Sequence, residues 1–151
     1  MHSNKDLAAL AVELIAAGSH FTRAAYQASG MELSNVSMRA LAALEREPGL
    51  RIGELAAREG IRQPSMSQAM KRLVDDGYAA RHTADNDARA TALTITDAGR
   101  DVLRSYRAAA AEAVAPVFEP LKPEDVATLK RAAELLPELT AELKQREGGR
   151  E

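Results

Sequence analysis

The chain has no cysteine and no tryptophan, only 3% aromatic residues, and no surplus of basic charge. Without cysteine, a disulfide framework, a thiolate metal site and thiol redox control are all excluded. That absence fits a reducing compartment, and a cytoplasmic location is expected. Long apolar runs are missing too, so nothing approaches the ~20 residues of a membrane span. The run Leu7-Ala8-Ala9-Leu10-Ala11-Val12 has Asp6 before it and Glu13 after it, unlike the core of a secretory signal. Catalytic groupings are also thin. There is no Gly-rich phosphate cradle, and the histidines stand far apart at His2, His20 and His82. We therefore expect no enzyme activity, no cofactor and no metal.

What is present is alanine, leucine and charge. At 151 residues the chain can bury one real core, and the lack of long β-branched or aromatic stretches favours a mostly helical fold with minor sheet. The formal net charge of −2 argues at first against nucleic acid, but it averages over unlike segments. Residues 51–90 carry seven Lys/Arg against six Asp/Glu, whereas 91–151 carry nine against eleven, so any basic face is local.

Apolar positions Leu10, Leu14, Ala17, Phe21 and Ala24 recur at helical steps and predict a long first helix ending near Ser29-Gly30. It reads most simply as a core helix, with Val12 and Ile15 giving a second apolar side for a further neighbour such as a partner subunit. Ser34 caps a second helix with Met38, Leu41 and Leu44 inward, ended by Pro48-Gly49. After the extended piece Leu50-Arg51-Ile52, a third helix runs from about Gly53 to Glu59 and stops at Gly60. Pro64 belongs in a first helical turn, so a fourth helix starts near Gln63 and carries Met66, Ala69, Met70, Leu73 and Val74 toward Gly77. The last two form a helix-turn-helix candidate.

Strand-compatible runs Tyr78 to Thr83 and Ala90 to Ile95 flank the polar turn Ala84-Asp85-Asn86-Asp87 and predict a hairpin. Thr96 then caps a long helix with Val102, Leu103, Tyr106, Ala110, Ala113 and Val117, disturbed at its end by Pro116 and Pro120. Pro123 opens a last helix whose face holds Val126, Leu129, Ala133, Leu136 and Leu143, and Pro137 is expected to kink or split it. The tail from Glu147 is expected to fray.

This order, with Leu33-Ser34, Pro48-Gly49-Leu50, Gly53-Glu54-Leu55-Ala56 and Gln63-Pro64-Ser65-Met66-Ser67, resembles the MarR family of winged-helix transcriptional regulators over nearly the whole chain. The most specific part is Asp87-Ala88-Arg89 followed by Ile95-Thr96-Asp97-Ala98-Gly99, similar to that family's Asp-x-Arg wing and Leu-Thr-x-x-Gly wing exit. Arg62 departs from the pattern, standing where a Ser or Thr cap is usual, and Lys122 replaces a frequent Ser before the last helix.

The resemblance implies a single domain over 1–151: a winged helix-turn-helix lobe over 34–95 with a two- or three-stranded wing, and a helical dimerisation region over 5–30 and 97–145. It implies double-stranded DNA as partner, a homodimer on an inverted-repeat operator, and repression relieved by a small anionic or phenolic effector. Gln63, Ser65, Ser67 and Gln68 are then the candidates for base edges in the major groove, where small polar side chains suit the donor and acceptor pattern. Arg51, Arg62, Lys71 and Arg72, with Arg58 beside them, are candidates for phosphate. Arg89 is the candidate for a flanking minor groove, oriented by Asp87. The effector candidates are His20, Arg23 and Met38. Against each stands a plainer reading: solvated helix face, ordinary surface charge, a turn ion pair, core packing. The alternative function is a winged-helix protein-interaction module that does not bind DNA.

Overall fold

The computed structural model describes residues 3–84 and 87–149, and at 84 and 87–90 the backbone alone. The described elements run α1 (Asn4–Ala28), α2 (Asn35–Arg46), α3 (Ile52–Glu59), α4 (Gln63–Asp75), β1 (Ala79–Ala84), β2 (Asp87–Ile95), α5 (Asp97–Phe118) and α6 (Pro123–Gly148). The chain divides into two units, Met1–Glu112 and Ala113–Glu151.

In the first unit, local chemistry sets the element boundaries. The Ser34 hydroxyl accepts the Ser37 backbone N–H at 3.1 Å and starts α2 as expected. At the start of α3 the Glu54 carboxylate accepts the Arg51 N–H at 2.8 Å. That helix ends where Gly60 takes a φ of 60°, which lets the Ile61 N–H reach the Ala56 carbonyl at 2.9 Å and the Gly60 N–H the Ala57 carbonyl at 3.2 Å. The same paired closure ends α4, with Tyr78 N–H on the Leu73 carbonyl at 2.8 Å and Gly77 N–H on Val74 at 3.0 Å.

Three amphipathic helices and the sheet then share one core. Leu41, Leu44, Leu55, Met66, Met70, Leu73, Leu93 and Leu103 are the largest fully buried side chains. Each such leucine or methionine contributes roughly 1.5–3 kcal/mol by leaving water. Tyr106 of α5 joins the core, and Tyr26 near the end of α1 packs on it with ring centroids 4.8 Å apart and planes at 44°. Burial pushes the Tyr106 phenol above its ordinary pKa, and the neighbouring Tyr26 adds to the shift.

The strands are antiparallel, from Ala79 opposite Ile95 to Thr83 opposite Thr91. Leu50 adds a single bridge to Leu93, its carbonyl accepting the Leu93 N–H at 2.9 Å, so the sheet has two strands and one bridging residue. Beyond Thr83 the register breaks: Ala84 pairs with Asp87, leaving Ala88, Arg89 and Ala90 as extra residues on β2. The strand therefore begins at Asp87, earlier than the expected Ala90. Asp85 and Asn86 of the expected turn lie outside the described residues.

Three further expectations need correction. The long first helix is not a core helix: none of its 25 residues is buried, and Leu10, Leu14 and Phe21 are 58%, 43% and 50% exposed. Its apolar stripe is real, but the chain's own core does not cover it. In the second unit, α6 runs unbroken through Pro137. The proline withdraws one N–H from the helical ladder, and the Leu, Glu, Ala and Lys residues on both sides keep the remaining bonds. Glu147 and Gly148, expected to fray, belong to this helix, while Arg150 and Glu151 lie outside the described residues.

Candidate nucleic-acid interface

The α4 sequence sorts its own faces. Met66, Ala69, Met70 and Leu73 recur at steps of three and four and are buried, which turns Gln68, Lys71 and Arg72 outward and leaves Ser65 and Ser67 on the flanks. Gln63, Ser65 and Gln68 are exposed, and Ser67 is half-buried. The structure thus brings all four expected base-reading residues into the first two turns of one helix. Gln63 lies against the start of the preceding helix, its Oε1 3.5 Å from where a Cβ on Gly53 would stand. The start of α4 has no side-chain cap: Arg62 occupies the cap position and makes no capping bond, so the early N–H groups are left for another acceptor.

Charge pairing divides the arginines of the lobe into two sets. On α2, Arg39 and Arg46 both reach the Glu59 carboxylate, at 3.1 and 3.3 Å, and Arg39 also donates to the Glu59 carbonyl. Arg58 is paired with Glu47, both side chains about half exposed, and Arg107 of α5 is paired with Glu45 at 3.0 Å. Arg51, Arg62 and Arg72 are exposed and have no ion-pair partner among the described residues. Lys71 is paired with Asp75 one turn on, at 2.9 Å, with both side chains mostly exposed. Such a pair is worth about half a kcal/mol and is readily exchanged for a phosphate.

On the hairpin, Arg81 of β1 is exposed and likewise without an ion pair among the described residues. His82 Nε2 lies 2.9 Å from Thr94 Oγ1, a cross-strand contact that ties down the imidazole. The expected Asp87–Arg89 pair falls on side chains outside the described residues. Of their backbone, Arg89 sits in the middle of the three residues that the irregular ladder leaves without a partner on β1.

The expected effector residues are dispersed in character. His20 and Arg23 are exposed on α1, and Met38 is enclosed in the core at 4% exposure. An open groove of about 500 Å³ on α6, lined by Ala133, Leu136, Pro137, Thr140, Ala141 and Lys144, contains none of the three.

Residues 29–90, from the C-cap of α1 into β2, match the family model described as the MarR family. An uncharacterized HTH-type transcriptional regulator of Mycobacterium leprae is 31% identical over 114 residues, covering 76% of this chain and 78% of the relative. The chain belongs to the MarR family. It is a helix-turn-helix transcriptional regulator, and members of the family are transcription factors rather than enzymes. The crystal structure of a MarR-family transcriptional regulator from Silicibacter pomeroyi is 28% identical, with a TM-score of 0.56 over 84% of this chain and 85% of that one. Wild-type MarR of E. coli in its apo form shares the fold at 16% identity, with a TM-score of 0.70 over 84% of this chain and 96% of that one. The winged helix-turn-helix expected from the sequence is therefore present. Among the described residues, no helix is long and apolar enough to cross a membrane.

Proposed function

We propose that this MarR-family regulator binds duplex DNA as a homodimer at an inverted-repeat operator, acts as a repressor, and is released by a small anionic or phenolic effector. The observation that carries the DNA reading is the division of the arginines: Arg39 and Arg46 of α2 and Arg107 of α5 are paired with Glu59 or Glu45, while Arg51, Arg62 and Arg72 around the helix-turn-helix have no ion-pair partner among the described residues. Uncompensated cations beside a polar helix face suit phosphate, whose neutralisation releases counterions. In this reading Gln63, Ser65, Ser67 and Gln68 meet base edges, Arg51, Arg62, Lys71 and Arg72 meet phosphates, and Arg89, oriented by Asp87, enters the flanking minor groove. The homodimer is supported by the apolar surface that α1 leaves open through Leu7, Leu10 and Leu14, and separately by Leu129, Leu136, Leu139 and Leu143 on α6. Exposed Arg23 supplies the positive charge an anionic effector needs, with His20 on the same helix and Met38 as the apolar candidate.

The test is selection of bound duplexes from a random pool, followed by footprinting and a salt titration. Two protected half-sites about 10 base pairs apart centre to centre, with affinity falling steeply in salt, are expected. Salt-independent or absent duplex binding would turn the assignment toward a protein-interaction module.

A further inference from the structure

The segment that leaves the wing carries more bonds than a helix start needs. The Thr96 hydroxyl accepts the Gly99 N–H at 3.0 Å, which caps α5, and donates its one proton to the Gly77 carbonyl at 2.6 Å. The Thr96 backbone N–H donates to the Tyr78 carbonyl at 3.1 Å, and the Tyr78 N–H is itself bonded to Leu73 of α4. Gly99 is buried against the same peptide: a Cβ there would stand 2.0 Å from the Tyr78 carbonyl oxygen. The end of α4, the recognition helix of the reading proposed above, the root of the wing and the first turn of α5 thus meet at one hydroxyl and one glycine.

Gly77, with φ of 79°, is the joint at which the chain turns from α4 into the wing. Glycine resists rotation there less than any other residue. The six residues of β1 extend about 20 Å at ~3.3 Å each, so a tilt of about 10° at the joint displaces the hairpin tip by about 3 Å. That is half the width of a minor groove of about 6 Å. The contacts of Leu50 and Gly49 with Leu93 steady β2, but they do not touch the joint.

We propose that Thr96 is a positioning residue for DNA recognition: by tying the start of α5 to Gly77 it sets the angle of the wing against the recognition helix, and with it the spacing between major-groove and minor-groove contacts. The inference rests on the duplex-binding reading above. Thr96→Val keeps the side-chain shape and removes both hydroxyl bonds. Thr96→Ser keeps both. Thr96→Asp keeps a good cap for the Gly99 N–H but has no proton for Gly77.

The experiment compares the full-length variants on the selected operator by hydroxyl-radical footprinting and by affinity with and without Arg89→Ala. Thr96→Val and Thr96→Asp are expected to retain protection of the half-sites, lose protection of the flanking minor groove, and bind about tenfold more weakly. Thr96→Ser is expected to behave as wild type. The effect of Arg89→Ala should shrink in the Val and Asp backgrounds, because an arginine already misplaced has less to lose. If Thr96→Val does not fold, Thr96→Asp carries the test alone. Unchanged flanking protection with an undiminished Arg89 effect overturns the inference and leaves Thr96 a helix cap. Absence of duplex binding by the wild type overturns the regulator reading, and this inference with it.

Discussion

Helices α1 and α2 have similar apolar content and opposite fates. The 12 residues of α2 bury six side chains, and the 25 of α1 bury none. Both are capped by serine and both carry an apolar stripe, so local chemistry does not separate them. What separates them is the partner: α2 lies among α3, α4, β2 and α5 in one core, while Leu7, Leu10 and Leu14 of α1 face outward. A helix of this length whose stripe stays exposed beside the core of its own unit suits the association proposed above, and α2 inside that core serves stability.

The largest expected effect follows directly from that contrast. Leu41→Ala, at a site with no exposure, should lower the unfolding free energy by about 2–5 kcal/mol at every protein concentration. Leu14→Gln should leave the helical circular dichroism intact and shift the sedimenting species from dimer toward monomer. A Leu14→Gln protein that stays dimeric at micromolar concentration would remove α1 from the interface.

The next two concern charge. Arg89→Ala should cost roughly 1–3 kcal/mol of operator affinity and flatten the salt dependence, with stability changed by at most ~1 kcal/mol. Asp87→Ala should act in the same direction and less, and the double variant should be less than additive. Equal affinity of wild type and Arg89→Ala across the titration would leave the hairpin a structural strand pair. In the helical part of the lobe, Arg72→Ala should reduce the slope of log affinity against log salt by about one, whereas Arg107→Ala, already matched by Glu45, should not. Identical slopes would dissolve the distinction between paired and unpaired cations.

The smallest effect lies where α1 meets the core. The Tyr106 phenol ionises above its ordinary value of 10.0 because burial disfavours the anion, so the folded state holds its proton longer than the unfolded chain does. The resulting stability is fully present below pH 10 and is lost as pH rises through the folded value. Unfolding by denaturant, followed across that alkaline range, should lose less stability in Tyr106→Phe than in wild type.

Much of this was legible because it is local. Ser34, Pro64, Thr96 and Pro123 mark helix starts through bonds or ring constraints within a few residues, and the three- and four-residue spacing of Met66, Ala69, Met70 and Leu73 sorts the recognition helix without reference to its surroundings. The residues proposed to meet base edges were named for the same reason, since they are what remains in the first turns of that helix once the core positions are removed. Pro137 misled because a single lost bond was weighed against a short window instead of the whole 26-residue helix.

By itself, then, the sequence determined the order of elements, the inward face of each helix in the lobe, and the exclusion of thiol chemistry, because capping, periodicity and composition act over a turn or less. Only the tertiary structure decided which arginines are neutralised, since Arg39 and Glu59 stand 20 positions apart, and Arg107 and Glu45 stand 62 apart. It alone decided that α1 lies uncovered and that Thr96 reaches back 19 residues to Gly77. It also supplied the reason position 99 is glycine, a Tyr78 carbonyl too close for any Cβ. Such pairings depend on where the folded backbone brings distant residues, and no spacing along the chain encodes a distance across it.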